Sequence, residues 1–129
     1  MLVVEDDGVY AEFMVDTLRR AGHQVSLATD GASARLAAVD LVPDAVVLDL
    51  RLPDESGYDV ARALRRGLLP EHSVIIVLTA ERYPPLDAAS AVGVDIVLNK
   101  PVEAELVIGM IDHIRAQRAA RIRGASRAD

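Results

Sequence analysis

Five short apolar runs alternate with five stretches of helical periodicity, and this alternation constrains the fold more than any other feature of the chain. The runs are LVV (2–4), QVSLA (24–28), AVVLDL (45–50), SVIIVLT (73–79) and DIVLN (95–99). The third and fourth are apolar at successive positions, so both of their faces must be covered. That is the pattern of central strands in a parallel sheet. Between the runs, residues 8–21 show helical spacing, with Tyr10, Phe13, Met14 and Leu18 three and four apart and Gly22 placed to stop the helix. A second helix is expected over 32–40, capped by Asp30, and a third from Gly57 to about Arg66. After Pro84 and Pro85 only a short helix fits, over 86–92, and the longest runs from Glu103 to about Arg121. Parallel strands need such crossovers, and the crossovers are right-handed. The expected fold is α/β: a three-layer, doubly wound domain around a five-stranded parallel sheet.

With 129 residues, the chain is the size of one domain. Its residues are 51% hydrophobic but only 3% aromatic, so the core must be aliphatic. The lack of cysteine excludes disulfides and thiolate metal sites. No apolar run nears the ~20 residues that span a bilayer, and no secretory signal opens the chain. The expected setting is therefore cytoplasmic, without membrane contact. A net charge of −6 argues against direct nucleic-acid binding by this domain. The one basic stretch, residues 113–129, sets five arginines against Asp129 and reads as a solvated helix end, where cations suit the dipole. The expected boundaries are 1–121 for the domain and 122–129 for a basic tail or the start of a linker.

Ligands of doubly wound domains sit at the carboxyl ends of the strands. Glu5, Asp6 and Asp7 follow the first strand, Asp49 closes the third, Thr79 the fourth, and Lys100 follows the fifth. Asp7 suits the N-cap of the first helix. Carboxylates crowded together repel, and one stays protonated unless a cation joins them. With no His or Cys nearby, a hard divalent ion fits best: Mg²⁺, with Mn²⁺ as a substitute. A metal beside Asp49, with a hydroxyl and an ammonium opposite, suits phosphoryl transfer to the carboxylate and formation of an acyl phosphate. Thr79 would donate to one phosphoryl oxygen and Lys100 would neutralise another. Lys100 is the only lysine among 14 basic residues. Its compact ammonium on a flexible stem can reach a gap that the forked arginine side chain does not fit.

The segments VVEDD (3–7), VVLDLRLPDESG (46–57), VLTA (77–80) and NKP (99–101), in that order, resemble the response regulator receiver family of two-component signalling. The likeness covers residues 1 to about 120 and is similar to chemotaxis regulators. It implies a flavodoxin-like sheet of order 2-1-3-4-5. It implies Asp49 as phosphoacceptor, Thr79 as switch hydroxyl and Lys100 as site lysine. Glu5 and Asp6 resemble the acidic metal pair, joined by Asp49 and the backbone carbonyl of Arg51. A sensor histidine kinase, a histidine phosphotransfer protein or a small phosphodonor would supply the phosphoryl group. The role is regulatory rather than enzymatic, confined to the domain's own phosphorylation and dephosphorylation. An effector or fused output domain follows downstream, a homodimer remains open, and the Lys100–Pro101 bond is expected to be cis.

Two departures bear on output. Val97 stands where the family often has Tyr or Phe, and Pro84–Pro85 shorten the fourth helix. The 79–100 face is therefore expected to switch by reordering of residues 83–97 rather than by an aromatic rotamer. Arg51 and Glu81, each two residues past a site residue, are expected to lie over the mouth of the site and set the lifetime of the phosphoryl group. Three other readings compete. A haloacid-dehalogenase-like phosphatase wants an acid two residues after the nucleophile, where this chain has Arg51. A receiver-like interaction module without phosphotransfer predicts a damaged site, yet all five positions are intact. A nucleotide-binding flavodoxin-like domain lacks its Gly-rich loop after the first strand.

Overall fold

Each apolar run becomes a strand of one parallel sheet. The computed structural model describes residues 1–82 and 84–128, with side chains up to residue 124. The elements are β1 (Leu2–Val4), α1 (Gly8–Arg20), β2 (Ser26–Ala28), α2 (Gly31–Leu41), β3 (Ala45–Asp49), α3 (Gly57–Ala63), β4 (Val74–Thr79), α4 (Leu86–Ala91), β5 (Ile96–Asn99) and α5 (Ala104–Ala128). The sheet order is β2-β1-β3-β4-β5, the expected doubly wound arrangement. In register, Val3 sits beside Val47 and Val47 beside Ile76, so successive side chains build two aliphatic layers. Leu2, Val4, Val46, Leu48, Ile75 and Val77 face α2, α3 and α4. Val3, Ala45, Val47, Val74, Ile76 and Leu78 face α1 and α5. The edge strand β2 is shorter than the QVSLA run because it has only the three residues of β1 to pair with.

The caps follow the sequence. Asp7 accepts from the backbone N–H groups of Val9 and Tyr10, and Asp30 from that of Ser33. Three expectations need correction. Phe13 is 58% exposed. The face that α1 buries is Ala11, Met14, Val15 and Leu18, a stripe of 3.6-residue period to which Phe13 does not belong. The third helix does not run as an α-helix to Arg66. It gives way after Ala63 to a π turn over Leu64–Leu68, where Gly67 leaves helical angles. The last helix continues past Arg121 to Ala128, since its Ala- and Arg-rich sequence has no proline to stop it. The expected boundary at residue 121 thus falls inside a helix, and Asp129 lies outside the described residues.

At the end of the sheet opposite the strands' carboxyl termini, Asp95, just before β5, ties three elements together. Its carboxylate accepts from Arg65 on the π turn at 2.9 Å, from the Ile75 N–H of β4 at 2.8 Å, and from Arg118 of α5. The two arginines also donate to the Ser73 carbonyl, Arg65 at 2.6 Å and Arg118 at 2.8 Å. No helix among the described residues is long and apolar enough to cross a membrane.

Candidate functional site

The parallel register brings the carboxyl ends of β1, β3, β4 and β5 to one edge, and the site forms there. Glu5, immediately after β1, is only 3% exposed, and its N–H donates to the Ala28 carbonyl at 3.0 Å. Asp49 ends β3, and Thr79 ends β4 at 1% exposure. The Lys100 N–H donates to the Thr79 carbonyl at 2.8 Å, fixing the root of the lysine beside β4. The Lys100–Pro101 bond is cis. Gly57 explains why the loop after β3 reads LPDESG. A Cβ there would lie 2.2 Å from the Asp49 carbonyl oxygen, so only glycine lets α3 start against the backbone that carries Asp49.

The side chains converge. Lys100 Nζ donates to Asp49 Oδ2 at 3.2 Å and pairs with Glu5. The other Asp49 oxygen accepts from the Arg51 N–H at 3.3 Å. Glu5, Asp6 and Asp49 offer carboxylate oxygens within 4.8 Å of one another. Two of these carboxylates share one ammonium. Burial, followed by the Asp49 contact, pushes the Glu5 carboxyl up to about 7, and the Lys100 interaction only partly offsets this. Lys100 is raised above its usual value: burial works against its charge, and the Glu5 bond and the Asp49 charge outweigh burial. A set of oxygen donors that runs from the buried Glu5 to the exposed Asp6, with one member driven toward protonation, is short of positive charge. That donor set fits a hard divalent cation.

Thr79 Oγ1 accepts from the Glu81 N–H at 3.0 Å, which leaves its own proton free to be donated. Arg51 Nε donates to Glu81 Oε1 at 2.7 Å. A cleft of about 300 Å³ is lined by Asp49, Arg51, Thr79, Ala80, Glu81 and Lys100. Val97 is half-buried against the α2–α4 layer and lies outside that lining. Asp6 is exposed at the rim, and Asp7 serves α1 as its cap. Sequence reasoning missed Tyr10, whose ring lies beneath Lys100. An aromatic at a helical apolar position looks like core packing, and nothing local marks a contact 90 residues away.

A doubly wound domain with paired acids after β1, a carboxylate ending β3, a hydroxyl ending β4 and a lysine after β5 is built to hold charge at one strand edge. The chain matches the response regulator receiver domain model over residues 1–112 and belongs to that family. It is thus a receiver domain of two-component response regulators. It is 38% identical over 108 residues to the Mycobacterium tuberculosis protein named "Probable transcriptional regulatory protein TcrX", covering 84% of this chain and 46% of the relative. It is 31% identical over 116 residues to the Synechocystis DNA-binding dual master transcriptional regulator RpaA, covering 86% of this chain and 46% of that protein. The chain therefore spans about half the length of the curated relatives it matches. Among solved structures, the chemotaxis response regulator CheY4 of Vibrio cholerae superposes with a TM-score of 0.79 at 27% identity, covering 88% of this chain and 95% of that one. A Burkholderia pseudomallei response regulator, solved with a phosphorylated aspartic acid, a calcium ion and citrate, superposes at 0.75 and 27% identity, covering 93% of this chain and 72% of its own.

Proposed function

We propose that this chain is the phosphoacceptor receiver of a two-component phosphorelay, with Asp49 taking a phosphoryl group from a histidine kinase or histidine phosphotransfer protein in a Mg²⁺-dependent reaction. The observation that carries the proposal is the convergence of Lys100 on Asp49 beside the oxygens of Glu5 and Asp6. The phosphorylated aspartic acid and the cation of the Burkholderia relative support it. An Asp49 oxygen forms the new P–O bond while the P–N bond of the donor phosphohistidine breaks, and the imidazole keeps that electron pair. A divalent ion held by Glu5, Asp6, Asp49 and the Arg51 carbonyl would offset charge on the phosphoryl oxygens. Lys100 neutralises a second oxygen, and the free Thr79 proton goes to a third.

Drawing Thr79 inward carries Glu81 with it, because the Glu81 N–H is bonded to the threonine oxygen. The pull is transmitted to α4 and the 79–100 face. Val97 offers no aromatic rotamer, so output runs through reordering of this loop and helix. The relatives' names, with their transcriptional and DNA-binding roles, support an effector or fused output domain downstream, acting in the cytoplasm. The receiver is the regulatory part and contributes no nucleic-acid contact.

Incubation with acetyl phosphate and Mg²⁺, followed by intact mass measurement, tests the proposal. A gain of one phosphoryl group is expected, abolished by Asp49→Ala and by EDTA. Steady turnover of the donor without a mass gain would point to a phosphatase. Neither mass gain nor turnover would leave an interaction module.

A further inference from the structure

Tyr10 stands in the first turn of α1, and the chemistry proposed above makes no use of it. Its placement is set at three points. Its backbone N–H donates to Asp7 Oδ1 at 3.2 Å, so the cap of α1 fixes the turn that carries it. Its hydroxyl donates to the Val102 carbonyl at 3.3 Å, in the segment between β5 and α5. Its ring centroid lies 4.6 Å from Lys100 Nζ. One side chain thus holds both the head of Lys100 and the loop that follows it.

The ammonium has three N–H donors. Two are engaged by Glu5 and Asp49, and the face of Tyr10 is a further neighbour within cation–π reach. Glu5 is a shared group, since it serves Lys100 and also belongs to the carboxylate set that fits a cation. When Glu5 turns to a cation, the lysine loses one of its two anionic partners. A four-methylene stem is then free to swing away unless something else restrains its head. The ring provides that restraint without negative charge, so it does not compete for the cation.

We infer that Tyr10 is a positioning residue for Lys100: its ring holds the ammonium beside Asp49, and its hydroxyl fixes the loop from which the lysine extends. The consequence for phosphoryl transfer rests on the phosphoacceptor reading, whereas the contact itself does not.

The chain has a single lysine, so lysine-selective isotope labelling gives one side-chain signal to follow. In the wild type, the ε-methylene protons of Lys100 should be shifted upfield by the ring current. Tyr10→Phe should keep that shift, and Tyr10→Leu should abolish it. Tyr10→Met provides a second ring-free variant, with a flexible side chain to fill the space, and backbone amide spectra report whether each variant is folded. With acetyl phosphate and Mg²⁺, the maximal phosphorylation rate of the Leu and Met variants should fall about threefold to thirtyfold, the rate equivalent of one cation–π contact. The half-saturating donor concentration should stay near the wild-type value, and Tyr10→Phe should restore most of the rate. A wild type without the ring shift, or folded Leu and Met variants that react at the wild-type rate, would overturn the inference. A wild type that shows the ring shift but takes up no phosphoryl group confirms the contact and defeats the phosphoacceptor reading instead.

Discussion

Arg51 and Glu81 are 30 residues apart in sequence and meet across the mouth of the cleft that holds Asp49, with Arg51 Nε donating to Glu81 Oε1 at 2.7 Å. The arginine is largely exposed, so the pair contributes little to stability, ~0–1 kcal/mol. Under the phosphoacceptor reading, its position over the cleft would give it a different role, screening the phosphoryl group from the hydrolytic water. Arg51→Ala and Glu81→Ala should each change the dephosphorylation rate by up to about fivefold, the rate equivalent of that energy. Unfolding midpoints should stay within error. Phosphoryl lifetimes equal to that of the wild type in both variants would show that the pair does not gate access.

The raised carboxyl of Glu5 predicts opposite pH trends with and without metal. A group whose folded pKa lies above its unfolded value stabilises the fold below the unfolded value, here 4.5, and loses that contribution as pH rises through the folded value, here about 7. Lys100, raised rather than lowered, stays charged across this window. In EDTA, the urea midpoint should therefore fall between about pH 5 and pH 8. With saturating Mg²⁺, the charged carboxylate gains a partner, and stability should rise over the same range. Glu5→Gln should remove most of both trends. Parallel pH profiles with and without Mg²⁺ would rule out Glu5 as a metal ligand.

Asp95 should be the most costly surface-accessible carboxylate to remove. Its loss leaves Arg65 and Arg118 facing each other, both mostly buried, and leaves the Ile75 N–H without its partner. Asp95→Ala should cost about 2–4 kcal/mol in urea unfolding. Asp16→Ala breaks the exposed Asp16–Arg20 pair of α1 and should cost no more than about 0.5 kcal/mol. Equal costs for the two substitutions would contradict the view that Asp95 joins the π turn, β4 and α5.

Helix α4 has little to hold it. It spans six residues, starts at Pro85 without a side-chain cap, and buries only Ala89 before Val92, while Leu86 is 60% exposed. Helices this short depend on packing. Amides over 86–93 should exchange faster than those of any other helix in the unmodified protein, and slow when an aspartyl-phosphate mimic and Mg²⁺ are added. The reordering expected for 83–97 starts at Tyr83, which lies outside the described residues. Strong protection of α4 before activation would move the output surface to another helix.

The order and type of the elements were legible because they depend on local pattern. A run such as SVIIVLT cannot leave either face exposed, so it had to be a central strand, and Asp7 and Asp30 announce helix starts by the caps they make. The carboxyl-edge positions of Glu5, Asp49, Thr79 and Lys100 followed from the same alternation, since each stands at a strand end. Which face of α1 turns inward was not legible at the level of one residue. Phe13 is as apolar as its neighbours, and only the packing of α1 on β1 and α5 excluded it from the core. The Asp95 clamp, the Arg51–Glu81 pair in its observed contact, and Tyr10 beneath Lys100 were decided by the tertiary structure alone. Periodicity reports how a segment relates to its own neighbours a few residues away. Contacts between residues 23, 30 or 90 apart arise only when strand register and helix placement bring distant segments to one point, and no local pattern encodes that meeting.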